Sequence, residues 1–295
     1  MGMPAVAVTD QFNMFALVKF YRAAIAEGIK PVAGADVLIT NPEDPDHANR
    51  LVLLCQNKQG YLNLCQLLSK GYQEGQYHGV PYLRRDWVSQ HSDGLIALSA
   101  GREGDVGHAL VNQHPNKARQ FAQDWMRDFP GRFYIEIQRT GREQEQIHER
   151  HALQLAADLG IPVVASNDVR FLEREDFSAH EARVCIHDGR LLADKRREVR
   201  YSEEQYLKSP EEMAKLFADL PEALENASEL AKRCNLELSV GTYFLPDFPT
   251  PEGQSVEDFL KQASLEGLTK RLNTRGLAQE FTDDDYLERL DLELE

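Results

Sequence analysis

The sequence has little cysteine, and none of it is paired. Cys55, Cys65, Cys185 and Cys234 are scattered singly; with no C-x-x-C pair a zinc ribbon is disfavoured, and nothing suggests disulfides. Cys55 and Cys185 sit in apolar runs and read as buried thiols. No apolar run approaches the ~20 residues a membrane helix needs, and no signal peptide is recognisable. The cytosol is therefore the default compartment, with no membrane partner.

Positive charge is also scarce. Thirty-three Lys and Arg stand against 48 Asp and Glu, a net charge of −15. Such a chain has no overall attraction to DNA or to an acidic membrane, so any nucleic-acid contact is local or belongs to a partner. One basic cluster runs against the trend: Arg190, Lys195, Arg196, Arg197 and Arg200. Charge runs of this kind read as a solvated loop. The nucleotide motifs G-x-x-x-x-G-K-[ST] and G-x-G-x-x-G are missing, as is the G-x-S-x-G elbow.

What is present is a rhythm of short apolar runs that end in polar residues. They are 4–10, 32–39, 51–56, 95–99, 133–138 and 162–168. Amphipathic patterns alternate with them. One runs from Phe12 to Ile25 and stops at Gly28. Others hold Tyr61, Leu64, Leu67 and Leu68, then Phe121, Trp125 and Phe129, then Ile147 to Leu159 before Gly160. Strand–helix alternation predicts a parallel sheet with covering helices. Six strands, with one or more missing upstream, favour a (β/α) barrel over an open sheet. The chain opens almost directly on a strand, which reads as a start inside a domain. An incomplete barrel would leave an open edge prone to pairing or aggregation.

Beyond residue 200 the rhythm changes. Ser209-Pro-Glu-Glu212 is a capping box with proline at N1, and Leu220-Pro221 separates two helices. Three prolines between Tyr243 and Pro251 predict an extended linker. Helical patterns resume at Val256 and from Asp283 to Glu295, where the chain stops without a helix-ending signal.

The chemistry concentrates at strand ends. The run Ile161-Pro-Val-Val-Ala-Ser-Asn-Asp168 ends in a carboxylate, where α/β folds bind ligands. Residues two apart on an extended segment share a side, so Arg170 shares the site with Asp168. An arginine cannot give up its proton and cannot ligate a metal. Asp10, Asp36 and Asp168, with Asp105 nearby, can be read as an all-oxygen site for Mg²⁺ or Mn²⁺, or as caps and turns. No strand run ends in histidine. His148 and His151 read as a solvated helix face. His180 can face the barrel or serve a hydrogen-bonded structural role, the second being favoured.

Several segments together resemble a known family. They are Val8-Thr-Asp-Gln-Phe-Asn13, Ala16-Leu-Val-Lys-Phe-Tyr21, Gly28-Ile-Lys-Pro-Val-Ala-Gly-Ala-Asp36 and Gly60-Tyr-Leu-Asn-Leu64. Ser99 to Val106, Ser166-Asn-Asp-Val-Arg-Phe171, Ala231-Lys-Arg-Cys-Asn235 and Tyr243-Phe-Leu-Pro246 complete the set. In this order they resemble the PHP domain of bacterial DNA polymerase III alpha subunits.

The resemblance implies a PHP-type distorted (β/α)7 barrel, N-terminally truncated, over 1–236. A linker and the start of a mostly helical polymerase region follow over 237–295. The family's first His-x-His strand and the polymerase palm are not within this sequence. Metal-binding members carry Thr-Asp-His where Thr9-Asp10-Gln11 stands, glutamate at Asp36 and histidine near Arg50. They carry cysteine at about Gly101 and Asn-Asp-x-His ending at the position of Arg170. Of those ligands Asp168 is kept and Asp36 is a shorter acid; Gln11, Arg50, Gly101 and Arg170 are poor or impossible ligands. The expectation is a vestigial site holding no metal, in which Arg170 pairs with Asp168 or Asp36. The implied role is a scaffold that docks a separate proofreading exonuclease subunit, among other holoenzyme subunits. DNA and catalytic Mg²⁺ would be bound by the rest of the parent polymerase. The rival expectation is a PHP-type 3′–5′ exonuclease or phosphoesterase using Zn²⁺ or Mn²⁺.

Overall fold

A computed structural model describes every residue of the chain except Pro42, Glu43, Pro45, Lys195, Thr242 and Phe244. All six apolar runs are strands. β1 (Ala5–Val8) is followed by α1 (Leu17–Ala26), β2 (Lys30–Ile39) and β3 (Asn49–Cys55). Then come α2 (Lys58–Glu74), a small hairpin of β4 (Gln76–Tyr77) and β5 (Val80–Pro81), α3 (Arg85–Gln90) and β6 (Leu95–Leu98). Next are α4 (Asp105–Val111), α5 (Pro115–Asp128), β7 (Phe133–Gln138), α6 (Glu145–Leu159) and β8 (Val163–Ser166). The helices α7 (Phe177–Asp188), α8 (Pro210–Leu216) and α9 (Pro221–Arg233) follow.

The six main strands form one curled sheet in the order β1-β2-β3-β6-β7-β8, a half-barrel covered by helices. The expected all-parallel sheet needs correction. β1–β2, β6–β7 and β7–β8 are parallel, but β3 is antiparallel to both β2 and β6. The connection 40–48 contains two prolines and is too short for a crossover helix, so β3 returns beside β2 as a neighbour of opposite sense. This has a useful result: the N-terminus of β3 lies at the same end of the sheet as the C-termini of β2, β6, β7 and β8.

The core explains the helical spacing. Leu64, Leu67, Trp125 and Phe129 are fully buried and pack with Leu53, Ile135 and Ile137 from the sheet. Asn57 caps α2 by accepting from Gly60 N at 3.0 Å, and Ser209 with Glu212 forms the predicted capping box on α8. Cys55 and Cys185 are buried as expected, and Cys234 is too.

The first helix begins later than its apolar pattern suggests. Phe12 has a φ of +54°, and the Asn13 side chain accepts from Phe15 N at 3.1 Å. That local turn competes with helix until Leu17. Phe12 is instead buried against Tyr72 of α2, ring centroids 5.7 Å apart.

Two histidine expectations also change. His148 is buried rather than solvated, while His151 is exposed. His180 is wedged between Phe171 and Tyr201 at 5.4 and 4.7 Å, and its Nδ1 has no hydrogen-bond partner. Aromatic packing holds it where hydrogen bonding was favoured.

Two compact units are present, Met1–Leu238 and Ser239–Glu295. The second contains α10 (Val256–Arg275), capped by Ser255 through Asp258 N, and α11 (Asp283–Leu294), capped by Thr282 in a box with Asp285. The described residues between Tyr243 and Pro251 form neither helix nor strand; Phe244 of that stretch lies outside the described residues.

Candidate functional site

The strand ends gather an alternating set of carboxylates and guanidiniums. Arg50 at the start of β3 is its centre. Its Nε donates to Asp36 Oδ1 at 3.1 Å, its Nη2 to Asp36 Oδ2 and to Asp168 Oδ1 at 3.3 Å, and its Nη1 to Glu103 Oε2. Arg142, in the loop after β7, reaches Asp168 Oδ2 at 3.2 Å and Glu103 Oε1 at 3.5 Å through Nη1. Arg170 Nη2 donates to Asp168 Oδ1 at 2.7 Å and lies 4.0 Å from Asp36 Oδ2. Three carboxylates thus face three guanidiniums, and charge-assisted pairs of this kind are the stronger hydrogen bonds.

Supporting contacts fix the geometry. Arg142 is aimed by Glu145, Thr140 and Gln138, at 3.1, 2.9 and 3.0 Å. Gln205 Nε2 donates to Asp168 Oδ2 at 2.8 Å, and its carbonyl accepts from Arg170 N at 2.8 Å. Arg170 also lies over the ring of Tyr201, 5.5 Å from its centroid.

The Asp168–Arg170 pair is real, but it does not arise from an extended segment. β8 ends at Ser166, and Asp168 has a φ of +42°. The left-handed backbone at Asp168, held by Gln205, carries both side chains to one side. An aspartate is among the residues that tolerate this conformation, at some cost.

The remaining predicted residues divide. Asp10 and Gln11 adjoin Asp36 through the backbone: Asp36 N donates to Asp10 O at 3.1 Å, and Gln11 bridges to Asp36 in parallel. The Asp10 carboxylate forms no ion pair with a described residue. Gly101 is buried at a φ of +58°, and a side chain there would begin 2.9 Å from Gln138 Oε1. Asp105 is not at the mouth. It starts α4, accepts from Trp125 Nε1 at 2.9 and 3.0 Å and lies 3.5 Å from Arg85. Asp36 and Asp168 thus converge, on Arg50 rather than around an open oxygen site, Asp10 adjoins them through the backbone, and Asp105 stands apart.

Sequence reasoning missed Glu103, Arg142, Gln205 and Glu136. Glu103 lies between β6 and α4. Arg142 and Gln205 carry no motif. Glu136, in β7, is buried, accepts from Ser166 Oγ at 2.5 Å and leaves Oε2 without a partner.

Electrostatics follow the contacts. Burial pushes the Asp168 carboxyl up, but Arg50, Arg170 and Arg142 outweigh it and hold it at about 2. The same contest, with Arg50 and Arg142 opposing burial, lowers Glu103. Burial pulls Arg50 down, yet its three carboxylates raise it well above its ordinary value. Burial raises Glu136, the opposite direction from its neighbour Asp168.

This residue set does not suit a divalent cation. Both oxygens of Asp36, Glu103 and Asp168 face guanidinium nitrogens, and a metal would have to displace or neighbour three fixed positive charges. Among the described residues no group of three or more His, Cys, Asp or Glu is placed to hold a metal ion.

Comparison with known proteins agrees with the fold. Residues 1–140 match the PHP domain. More particularly, the whole chain is 52% identical over 300 residues to the DNA polymerase III subunit alpha of Pseudomonas aeruginosa, of which it covers 26%. It is 45% identical over 303 residues to that of Escherichia coli K12, again covering all of this chain and 26% of the relative. With the Vibrio cholerae subunit it shares 46% over 272 residues, 92% of this chain and 23% of the relative. The chain spans about a quarter of the length of these curated relatives. Among the described residues no helix is long and apolar enough to cross a membrane.

Proposed function

We propose that this chain is a portion of a bacterial replicative polymerase alpha subunit whose PHP site has become a structural scaffold. The observation that carries the reading is Arg50. Its guanidinium sits among buried Asp36, half-buried Glu103 and Asp168, and supplies to those acids the positive charge that a metal would otherwise supply. Arg142 and Arg170 complete the neutralisation. In this reading no metal is held at the site and no hydrolytic step occurs there.

The parent subunit would add deoxynucleotides to a primer with Mg²⁺, using residues and DNA contacts outside this chain, in the cytoplasm. The PHP portion would dock the proofreading exonuclease subunit and stand among the other subunits of the holoenzyme. Support for these parts comes from the family resemblance and from the names of the relatives.

The test has two arms. The purified chain is equilibrated with Zn²⁺ and Mn²⁺, desalted and analysed for metal, then assayed on 3′-labelled single-stranded DNA. The expected outcome is no stoichiometric metal and no Mn²⁺-dependent hydrolysis. Bound metal with Mn²⁺-dependent hydrolysis would establish the PHP-type exonuclease instead. In the second arm the proofreading exonuclease subunit is titrated onto the chain in a calorimeter, and absence of heat removes the docking role.

A further inference from the structure

A second basic surface lies outside the mouth of the sheet. From Arg183 to Arg200 the chain carries six basic and three acidic residues, within a chain of net charge −15. Arg183 and Ile186 are exposed on α7. The chain reverses at Gly189, where Arg190 N donates to Cys185 O at 2.8 Å, and the following segment returns beside the helix. Two arginines pin that return: Arg197 pairs with buried Glu181, and Arg200 with Asp188. The cluster is a solvated loop, as its charge run suggests, and these two contacts fix its course. Lys195 lies outside the described residues.

The other arginines are differently placed. Among the described residues Arg183 and Arg190 have no carboxylate within ion-pair distance, and Arg196, 91% exposed at its side chain, meets only Asp194 at 3.2 Å. A cleft of about 450 Å³ opens here, lined by Val184 and Cys185, by Arg190, Arg196, Arg197 and Arg200, and by two acids, Asp188 and Glu198. The same segment bears exposed aliphatic side chains: Ile186 at 82%, Leu191 at 76%, Leu192 at 52% and Val199 at 59%. Exposed aliphatic groups beside convergent guanidiniums are more than a soluble surface requires.

We propose that this cleft docks a carboxylate-bearing aliphatic peptide segment of another protein. An Asp or Glu enters between Arg190 and Arg196, where a planar guanidinium fork matches a carboxylate. Leucine-type side chains flanking that acid cover Ile186, Leu191, Leu192 and Val199. Charge complementarity selects the occupant. Single-stranded nucleic acid is disfavoured because, among the described residues, no aromatic side chain lines the cleft for base stacking. A lipid surface is disfavoured by the concave shape and the strongly negative whole chain. The inference is independent of the metal question and of which subunits assemble around the parent polymerase.

Fluorescence polarisation with the intact chain tests it. The probes are a short labelled peptide of alternating Leu and Asp, its Leu/Asn and Ser/Asp counterparts, labelled oligo-dT and phosphatidylglycerol vesicles. The Leu/Asp peptide is expected to bind, and both counterparts to bind at least about tenfold more weakly. Arg190→Glu with Arg196→Glu, and separately Leu191→Ser with Leu192→Ser, abolish binding while leaving the melting temperature unchanged, since these side chains are exposed. Equal binding of the Leu/Asn peptide, binding indifferent to the paired substitutions, or no binding of the Leu/Asp peptide would each overturn the proposal. So would Arg190-dependent binding of oligo-dT or vesicles in its place.

Discussion

The guanidinium of Arg50 lies along the carboxylate of Asp36, Nε on one oxygen and Nη2 on the other, across the antiparallel pair of β2 and β3. Asp36 is 3% exposed, so this is a buried pair. Removing one member strands the other: Arg50→Met is expected to cost about 3–5 kcal/mol, and on the order of 10 °C in melting temperature. Arg50→Met combined with Asp36→Leu recovers part of that loss, because an apolar pair carries no desolvation penalty. Thermal melts followed by circular dichroism decide it; an unchanged melt for the single variant would contradict the account.

Acid lability should map onto Asp168. Its folded-state pKa, about 2, lies below the ordinary 3.8. A depressed carboxylate stabilises the fold above its unfolded pKa, and that stability disappears as pH falls through the folded value. The window is therefore pH 4 down to 2, with about 2 kcal/mol at stake. Urea midpoints across this range should fall for the native chain and fall less steeply for Asp168→Asn. Identical slopes would remove Asp168 from the explanation.

A separate window belongs to His148. Burial, then Arg102, pushes its pKa down from 6.5 to about 4. The unfolded chain then binds the proton first, so stability is complete above pH 6.5 and declines as pH falls to 4, by about 3 kcal/mol. His108 and His180 are lowered by burial too and add to the same decline. His148→Leu should flatten the urea midpoint against pH between 6.5 and 4, whatever its effect at neutrality. A slope as steep as that of the parent chain would count against a buried neutral imidazole.

Gly107 connects α4 to the mouth. A Cβ there would sit 2.0 Å from Gly101 O and 2.7 Å from Arg102 Cα, both backbone atoms that cannot swing aside. Gly107→Ala should displace the loop bearing Glu103, at about 1–3 kcal/mol or more. Since the same loop feeds Arg50, its cost should be non-additive with Glu103→Gln. Strict additivity in a double-mutant cycle would show the loop moves without disturbing the network.

The strands were legible because each is a compact apolar run closed by polar residues. Asp168 and Arg170 were legible because they follow such a run directly. The antiparallel placement of β3 was half legible, since the prolines between 40 and 48 exclude a crossover helix; its pairing with β6 across α2 and α3 is a tertiary outcome. Arg142 and Gln205 could not be found from local pattern. Each reaches the site from a loop, and the residue it meets there, Asp168, is far from it along the chain and becomes its neighbour only after folding. Glu103 likewise meets Arg50 and Arg142, both distant in sequence, through the fold.

A guanidinium tethered to β3 has no dissociation constant. A bound ion at this position would come and go with supply, and the fold would loosen whenever chelators or scarcity emptied it. On the scaffold reading proposed above, Arg50 is at full occupancy from the moment the chain folds, and a cell in metal starvation would find this portion of the protein as rigid as one in plenty.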